Sequence, residues 1–131
     1  MTYKNNFINQ LMSCGNKWKS ENIFFKTSKK LQKLQKLQSN IIFKFAVINS
    51  SPYFDIKQVQ KKKKKQIEFP FLLTKTLRIS HGIKNIISYK NKNLYINLID
   101  SVDNCGISVD LKKKIHKESF LKKKVSNYRW F

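Results

Sequence analysis

The chain has 131 residues with 40% hydrophobic content, which suits one domain with a modest core and requires no second domain. Its 28 Lys and Arg residues outnumber seven Asp and Glu residues and leave a formal net charge of +21, so a polyanion is predicted to supply the missing negative charge. Nucleic acid is the first candidate and an anionic membrane surface the weaker one, while no apolar run approaches the roughly 18 residues of a membrane span.

Apolar residues at helical spacing predict three helices before Pro52. The first is followed by Gly15 as a left-handed C-terminal residue, and Ser20 is the predicted N-cap of the second. The third ends before Pro52, because proline cannot continue a helix. The apolar stripes comprise, helix by helix, Phe7, Ile8, Leu11 and Met12; Ile23, Phe24, Thr27, Leu31 and Leu34; and Ile41, Ile42, Phe45, Ala46 and Asn49.

Beyond Pro52 the apolar residues alternate with polar ones, which predicts a two-stranded β-ribbon over residues 53–74. The alternating residues are Phe54 and Ile56 in the first strand, and Ile67, Phe69, Phe71 and Leu73 in the second. Pro70 removes one backbone donor, so the second strand is expected to be short, bulged or at an edge. The predicted tip is the run Lys61, Lys62, Lys63, Lys64 and Lys65, which is either an arm along a phosphate backbone or a solvated loop.

Helical spacing returns after the ribbon and predicts three further helices. Gly106 is expected to end the fifth helix, and Asp110 or a neighbour to cap the sixth. Their stripes comprise Leu77, Ser80, Ile83 and Ile87; Tyr95, Leu98, Ile99 and Val102; and Ile115, Ser119, Leu121 and Val125. The predicted fold class is therefore mainly α, a bundle of about six helices with a protruding two-stranded β-ribbon between the third and fourth helices, in a single domain over residues 1–131.

Catalytic and metal-binding patterns are not visible. The candidate metal ligands Cys14, His81, Cys105 and His116 lack the paired close spacing of zinc sites, and two cysteines are too few for a disulfide framework. His116 lies among lysines without a neighbouring carboxylate, so a polar or stacking contact fits it better than a general-base role. No nucleophile elbow, phosphate-binding glycine loop or acidic pair occurs, and the chain is predicted to be neither an enzyme nor a cofactor protein.

Only two of the basic residues are arginine, Arg78 and Arg129. Arginine offers a planar fork that binds phosphate at two points and stacks on bases, whereas lysine is a hydrated point charge. A composition with one alanine and abundant Lys, Asn, Ile and Phe also indicates an AT-biased genome, which is a second explanation for the lysine excess. Beside Arg129, Tyr128 and Trp130 either stack on unpaired RNA bases or close the core.

Two further sets of residues stand in a distinctive order. The C-terminal set comprises Asp100, Asn104, Gly106, Val109, His116, Lys117, Lys123, Tyr128, Arg129 and Trp130. The other set comprises Phe7, Leu11, Met12, Gly15, Lys17, Glu21, Ile23, Leu31, Phe43, Ala46, Asn49, the segment 52–57, Pro70, Arg78 and Lys84. In these spacings the chain resembles the S-seven family of small-ribosomal-subunit proteins, in an organellar version, over almost its whole length. It departs from that pattern where pentalysine replaces an arginine-rich ribbon and where Asp110 replaces a basic residue.

The resemblance implies a structural protein that binds the 3′ major, or head, domain of small-subunit rRNA, near the exit-site tRNA and the mRNA path. It implies neighbouring head and platform proteins of the S-nine, S-eleven and S-thirteen families, no membrane partner, and the mitochondrial matrix as the location. The implied rRNA contacts are Lys17, Lys19, Lys57, Lys61, Lys62, Lys63, Lys64, Lys65, Lys75, Arg78, Lys84, Lys112, Lys113, Lys114, His116, Lys117, Lys123, Tyr128, Arg129 and Trp130. The open alternatives are a nonspecific DNA-compacting or membrane-surface basic protein and a small nuclease.

Overall fold

The computed structural model describes residues 3–35, 38–60, 66–88 and 93–127, which form six α-helices and one two-stranded antiparallel sheet. The elements are α1 (Tyr3–Leu11), α2 (Lys17–Gln35), α3 (Ser39–Ser50), β1 (Phe54–Gln60), β2 (Gln66–Leu72), α4 (Lys75–Ile87), α5 (Leu94–Val102), α6 (Ile107–Leu121) and a 3₁₀-helix (Lys123–Val125). The predicted mainly α fold with a ribbon between the third and fourth helices is confirmed. The lysine tip 61–65, residues 89–92 between α4 and α5, and Tyr128, Arg129 and Trp130 lie outside the described residues. Within the described ranges, no helix is long and apolar enough to cross a bilayer.

A tight turn joins α1 to α2. Cys14 and Gly15 both take left-handed backbone angles, with φ of +52° and +74°. Asn16 then caps α2, since its Oδ1 accepts a hydrogen bond from the N–H of Lys19 at 3.2 Å. The prediction that Ser20 caps this helix is wrong, because Ser20 is buried inside α2 and its hydroxyl donates to the Lys17 carbonyl at 2.7 Å.

Three phenylalanines from the first three helices form the centre of the core. The rings of Phe24 and Phe43 stack with centroids 4.7 Å apart, and Phe7 meets Phe43 edge-on at 5.1 Å. The large buried side chains of α3 are Ile42, Phe43 and Val47, because this helix packs against α2, α4, α5 and α6 and so buries a broad face.

Several residues of the predicted apolar stripes are exposed, although the helices that they predict are present. They are Met12, Ile23, Leu34, Ile41, Phe45, Leu77, Leu121 and Val125. Met12, Leu34, Leu121 and Val125 lie at or beyond helix ends, where less of the bundle covers them. In α3 the buried face is rotated relative to the predicted stripe, so that Ile41 and Phe45 point outward.

Serine hydroxyls connect α3, α5 and α6 inside the bundle. Ser50 and Ser101 each lie within hydrogen-bond distance of the carbonyl four residues earlier, at 2.8 and 2.6 Å. Because Ser101 donates to its own helix, Ser108 is the donor in the 2.6 Å contact between these two hydroxyls. Asn49 adds a link from α3 by donating to the carbonyls of Ser101 and Val102 at 3.1 and 3.0 Å. Small side chains therefore line the contacts among these three helices.

The turn between α5 and α6 ends the fifth helix earlier than predicted. Asn104, with φ of +56°, is the left-handed residue, and the N–H of Cys105 donates to the Asp100 carbonyl at 2.8 Å. Gly106, with φ of +85°, is instead the N-cap residue of α6, and a Cβ built on it would lie 2.8 Å from the Cβ of Asp100. Asp110 lies in the first turn of α6 rather than at its cap, where its charge favours the helix dipole.

The ribbon leaves the bundle beside α6. β1 and β2 pair in an antiparallel, continuous register, with Pro70 opposite Ile56. In the described residues each strand has a free edge, which accommodates the proline and confirms the edge alternative. At the base, β1 packs against α6, β2 packs against the 3₁₀-helix, and Phe69 and Leu73 are buried.

Candidate nucleic-acid interface

Arg78 and Tyr53 form a stacked pair at the base of the ribbon. Arg78 lies in the first turn of α4, where its N–H donates to the Thr74 carbonyl at 2.9 Å, and Tyr53 immediately precedes β1. The guanidinium carbon lies 3.8 Å from the centre of the tyrosine ring. Arg78 Nε is buried and has no hydrogen-bond partner among the described residues. The stack therefore fixes the plane of the guanidinium, which still has an N–H donor without a partner among the described residues.

His116 contacts the same tyrosine from α6. Its Nε2 accepts a hydrogen bond from the Tyr53 N–H at 3.0 Å, and its ring centre lies 6.0 Å from that of Tyr53 and 5.8 Å from that of Phe54. Burial, and secondarily the charge of Lys112, lower the pKa of His116 below its ordinary value. This favours the neutral ring that can accept a hydrogen bond. The rings that His116 contacts are therefore those of Tyr53 and Phe54 in the same protein.

Lys112 completes what we call the Tyr53 cluster, which consists of Tyr53, Arg78, Lys112 and His116. Its Nζ donates to the Asn49 carbonyl at 3.0 Å and lies 5.9 Å from the Tyr53 ring centre. Tyr53 remains 49% exposed, so these basic side chains surround a ring that is open to solvent. The cluster joins α3, α4, α6 and the ribbon at one place.

The other lysines of α6 face solvent. Lys113, Lys114 and Lys117 are exposed and line an open concavity of about 900 Å³. Asp110 also lines it and lies 3.9 Å from Lys113. The lysines of α6 therefore divide into Lys112, which is held against α3, and Lys113, Lys114 and Lys117, which extend into solvent where they can neutralise phosphate.

Lysines at helix starts form another group. Lys17 and Lys19 lie in the first turn of α2, and Lys75 is the first residue of α4; all three are exposed. A cation there opposes the helix dipole, which makes these positions unfavourable unless an anion lies nearby. For Lys17 the nearby Glu21, at 3.8 Å, offsets part of this cost. Lys84, also exposed, lies in the last turn of α4, where the dipole favours it.

On the ribbon, Lys57 lies with its Nζ 4.6 Å from the centre of the Phe71 ring. Lys122, which was not predicted as a site residue, forms an ion pair with Glu68 of β2, and Gln58 donates to the same carboxylate at 2.7 Å. Hydrogen bonds from Lys122 and Gln58, together with the lysine charge, lower the pKa of Glu68. Glu68 is the only carboxylate of β2, so the sequence gives a weak indication that it has a basic partner. It does not identify Lys122 as that partner, because the two residues are 54 positions apart.

The candidate metal ligands occupy separate settings. Cys14 and Cys105 are free thiols at exposed positions. His81 Nδ1 lies 3.9 Å from Asp55 Oδ2, whereas His116 belongs to the Tyr53 cluster. Within the described part of the chain, no group of three or more His, Cys, Asp or Glu side chains is placed to hold a metal ion.

Known proteins resemble this chain over nearly its whole length. The family profile described as Ribosomal protein S7p/S5e matches residues 2–120. The chain is similar to small ribosomal subunit protein uS7 of Koribacter versatilis, with 27% identity over 138 residues that cover 98% of this chain and 87% of the relative. It is similar to uS7c of Euglena longa, with 32% identity over 133 residues covering 95% and 72%. It is also similar to uS7 of Phytoplasma australiense, with 24% identity over 131 residues covering 94% and 83%.

Proposed function

We propose that this chain, which belongs to the ribosomal protein S7p/S5e family, organises the 3′ major, or head, domain of small-subunit rRNA. Family membership makes it a structural, rRNA-binding component of the small ribosomal subunit and not an enzyme. The match over residues 2–120 is the observation that carries the proposal. The net charge of +21 supports it, because each phosphate that the protein neutralises releases counterions.

The proposed RNA-binding surface is centred on the Tyr53 cluster. Arg78, already oriented by its stack, binds backbone phosphate through two donors and so sets the register of the protein on the RNA. Exposed lysines neutralise the adjoining backbones, namely Lys17, Lys19, Lys57, Lys75, Lys84, Lys113, Lys114, Lys117 and Lys123. The unfavourable positions of Lys17, Lys19 and Lys75 at helix starts support this assignment. We extend the surface to Lys61–Lys65 and to Arg129, which lie outside the described residues.

The finer placement is also a proposal. The ribbon reaches toward the exit-site tRNA and the mRNA path, and the neighbouring proteins belong to the S-nine, S-eleven and S-thirteen families. The ribosome concerned is that of the mitochondrial matrix. Support for an organelle comes from the AT-type composition, with one alanine and three glycines, and from the similarity to small ribosomal subunit protein uS7c of Euglena longa.

Cosedimentation with small subunits after washing in high salt tests the function. An integral ribosomal protein stays in the subunit fraction, because assembly locks its contacts within folded RNA. The alternative is a nonspecific nucleic-acid-compacting protein, which only the net charge favours, and it would be released since its contacts are purely electrostatic. Release of this chain together with such binders would contradict the proposal.

Folding and RNA binding are expected to be coupled. In low salt the free protein lacks a counter-charge for its +21 charge, so self-repulsion leaves it marginally stable. Addition of head-domain rRNA stabilises the folded chain by mass action. A sharp, cooperative thermal transition in low salt without RNA would contradict this coupling.

A further inference from the structure

An apolar cleft lies between the base of the ribbon and the end of α6. Phe54, Pro70, Phe71 and Leu72 form its ribbon wall, Phe120 lies on its α6 side, and its volume is about 390 Å³. Leu72 is 72% exposed and Phe120 is 74% exposed. The described residues therefore fold with large apolar side chains left in water around a concavity, which marks an interaction site.

This cleft is poorly suited to an RNA backbone. Its basic lining residues are Lys123 and His116, and His116 Nε2 already accepts the hydrogen bond from the Tyr53 N–H. The hydroxyl of Ser119, also in the lining, donates to the Ile115 carbonyl at 2.8 Å. A phosphate would lose its hydration here and gain few donors, so an aromatic or apolar occupant fits better.

We propose that Trp130 of this same chain fills the cleft, with Tyr128 at its rim. Ser126 lines the cleft, so the chain passes it immediately before the segment 128–131, which lies outside the described residues. Four residues of extended chain span about 13 Å, which is sufficient for the indole of Trp130 to enter. Three of the five residues after Ser126 are aromatic, and Lys123 at the cleft can interact with an indole face.

Tryptophan fluorescence of the full free chain tests the docking, in salt concentrated enough to screen its net charge of +21 and keep it folded. Far-UV circular dichroism of each variant verifies that the helices are formed. Trp18→Phe, at an exposed position of α2, leaves Trp130 as the sole tryptophan. Its emission is expected to be blue-shifted and weakly quenched by acrylamide. Phe120→Ser is expected to shift the emission to the red and increase quenching several-fold, whereas Leu121→Ser, at a neighbouring 80% exposed position outside the cleft lining, leaves both unchanged. Emission typical of a solvated indole, or emission insensitive to Phe120→Ser, would overturn the proposal.

A photocrosslinker in assembled small subunits gives an independent readout. With p-benzoylphenylalanine in place of Phe120, the expected adduct joins this position to a peptide containing residues 128–131 of the same chain. The same group in place of Leu121 is the matched control and gives no such adduct. An adduct of position 120 to rRNA or to another protein would show a different occupant and refute the proposal. The fluorescence measurement uses the free chain and so tests the docking of Trp130 alone. Failure of the proposed ribosomal function would instead be recognised from cosedimentation with small subunits.

Discussion

The guanidinium carbon of Arg78 lies 3.8 Å from the centre of the Tyr53 ring, so the one arginine among the described residues is held against the residue that precedes the ribbon. The hydrogen bond from the Tyr53 N–H to His116 fixes the same tyrosine to α6. The positions of α4, α6 and the ribbon are therefore coupled through one residue, since the Tyr53 ring stacks on Arg78 and its backbone N–H donates to His116.

Replacing this arginine separates geometry from charge. Arg78→Lys keeps the charge but loses the planar stack and the two-point contact, so we expect rRNA affinity to fall by about 1–2 kcal/mol, roughly 5- to 30-fold, with an unchanged salt dependence. Lys84→Ala is the comparison, in which affinity falls less and the slope of log K against log salt decreases by about one. Binding to head-domain rRNA across a salt series measures both. Equal affinity of Arg78→Lys and the native chain would refute the role of the fork.

Arg129 allows the same test in assembly. Arg129→Lys is expected to impair incorporation into small subunits more than Lys63→Ala, because a single point charge in a run of five lysines is easily replaced by its neighbours. Competition between native and variant chains, quantified by mass spectrometry of the subunit fraction, measures the difference. Equal deficits for the two variants would contradict it.

His116 predicts a pH-dependent stability. Because its folded pKa lies below its unfolded value, the unfolded state takes up a proton first as the pH falls. The contribution of His116 is therefore complete above about pH 6.5 and is lost as the pH falls through the lowered folded pKa. The free energy of unfolding, measured with urea at a series of pH values, should be higher for the native chain than for His116→Gln at neutral pH. The two values should converge as the pH falls. Parallel curves over this range would show that the Tyr53 contact does not depend on the neutral ring.

The Glu68–Lys122 pair is expected to hold the ribbon near α6. Since its partners lower the pKa of Glu68, the contribution is present above the ordinary value near 4.5 and is lost as the pH falls through the folded value. Glu68→Gln should increase hydrogen exchange of β2 amides at neutral pH, by a small amount because the pair is partly exposed. Glu118→Gln makes the same charge change within α6 and should leave β2 unaffected. Equal hydrogen exchange of the β2 amides in the two variants would show that the Glu68–Lys122 pair does not hold the ribbon near α6.

Two glycines offer a matched pair for backbone strain. Both have positive φ, but a Cβ at Gly15 meets nothing within 4 Å, whereas one at Gly106 lies 2.8 Å from Asp100 Cβ. Gly15→Ala should cost about 1–2 kcal/mol from its backbone angle alone. Gly106→Ala should cost more, because φ of 85° with ψ of 171° is a conformation that is almost restricted to glycine and costs about 1–3 kcal/mol. Overpacking against Asp100 adds roughly 1–3 kcal/mol. Urea unfolding measures both free energies, and equal values would mean that the Asp100 side chain moves aside freely.

The period of the apolar residues is a local property, which is why it predicted the helices and the ribbon correctly. Which face of a helix is buried depends on the number of neighbours, and this could not be read from α3 alone. Phe43 and Val47 enter the core because four helices surround α3. The N-cap of α2 also depends on the surrounding chain. Asn16 and Ser20 are both good N-cap residues, and the left-handed turn at Cys14 and Gly15 makes the helix begin after Asn16.

The site shows the same division. Charge is visible in composition, so the lysines that extend into solvent could be predicted as phosphate contacts. The Tyr53–Arg78 stack, the Lys112 contact with Asn49 and the Glu68–Lys122 pair join residues far apart along the chain. These contacts depend on the crossing of α4, α6 and the ribbon, which no local pattern encodes.

The serines between α3, α5 and α6 have a consequence for the gene. Closely packed helices commonly use alanine at their crossings, but this chain contains a single alanine. Ser50, Ser101 and Ser108 are buried instead, and their hydroxyls are satisfied within the bundle. Serine can be encoded by triplets poor in G and C, whereas every alanine codon begins with GC. The packing of these three helices is therefore compatible with a gene poor in G and C, because hydroxymethyl groups occupy places where alanine methyl groups commonly stand.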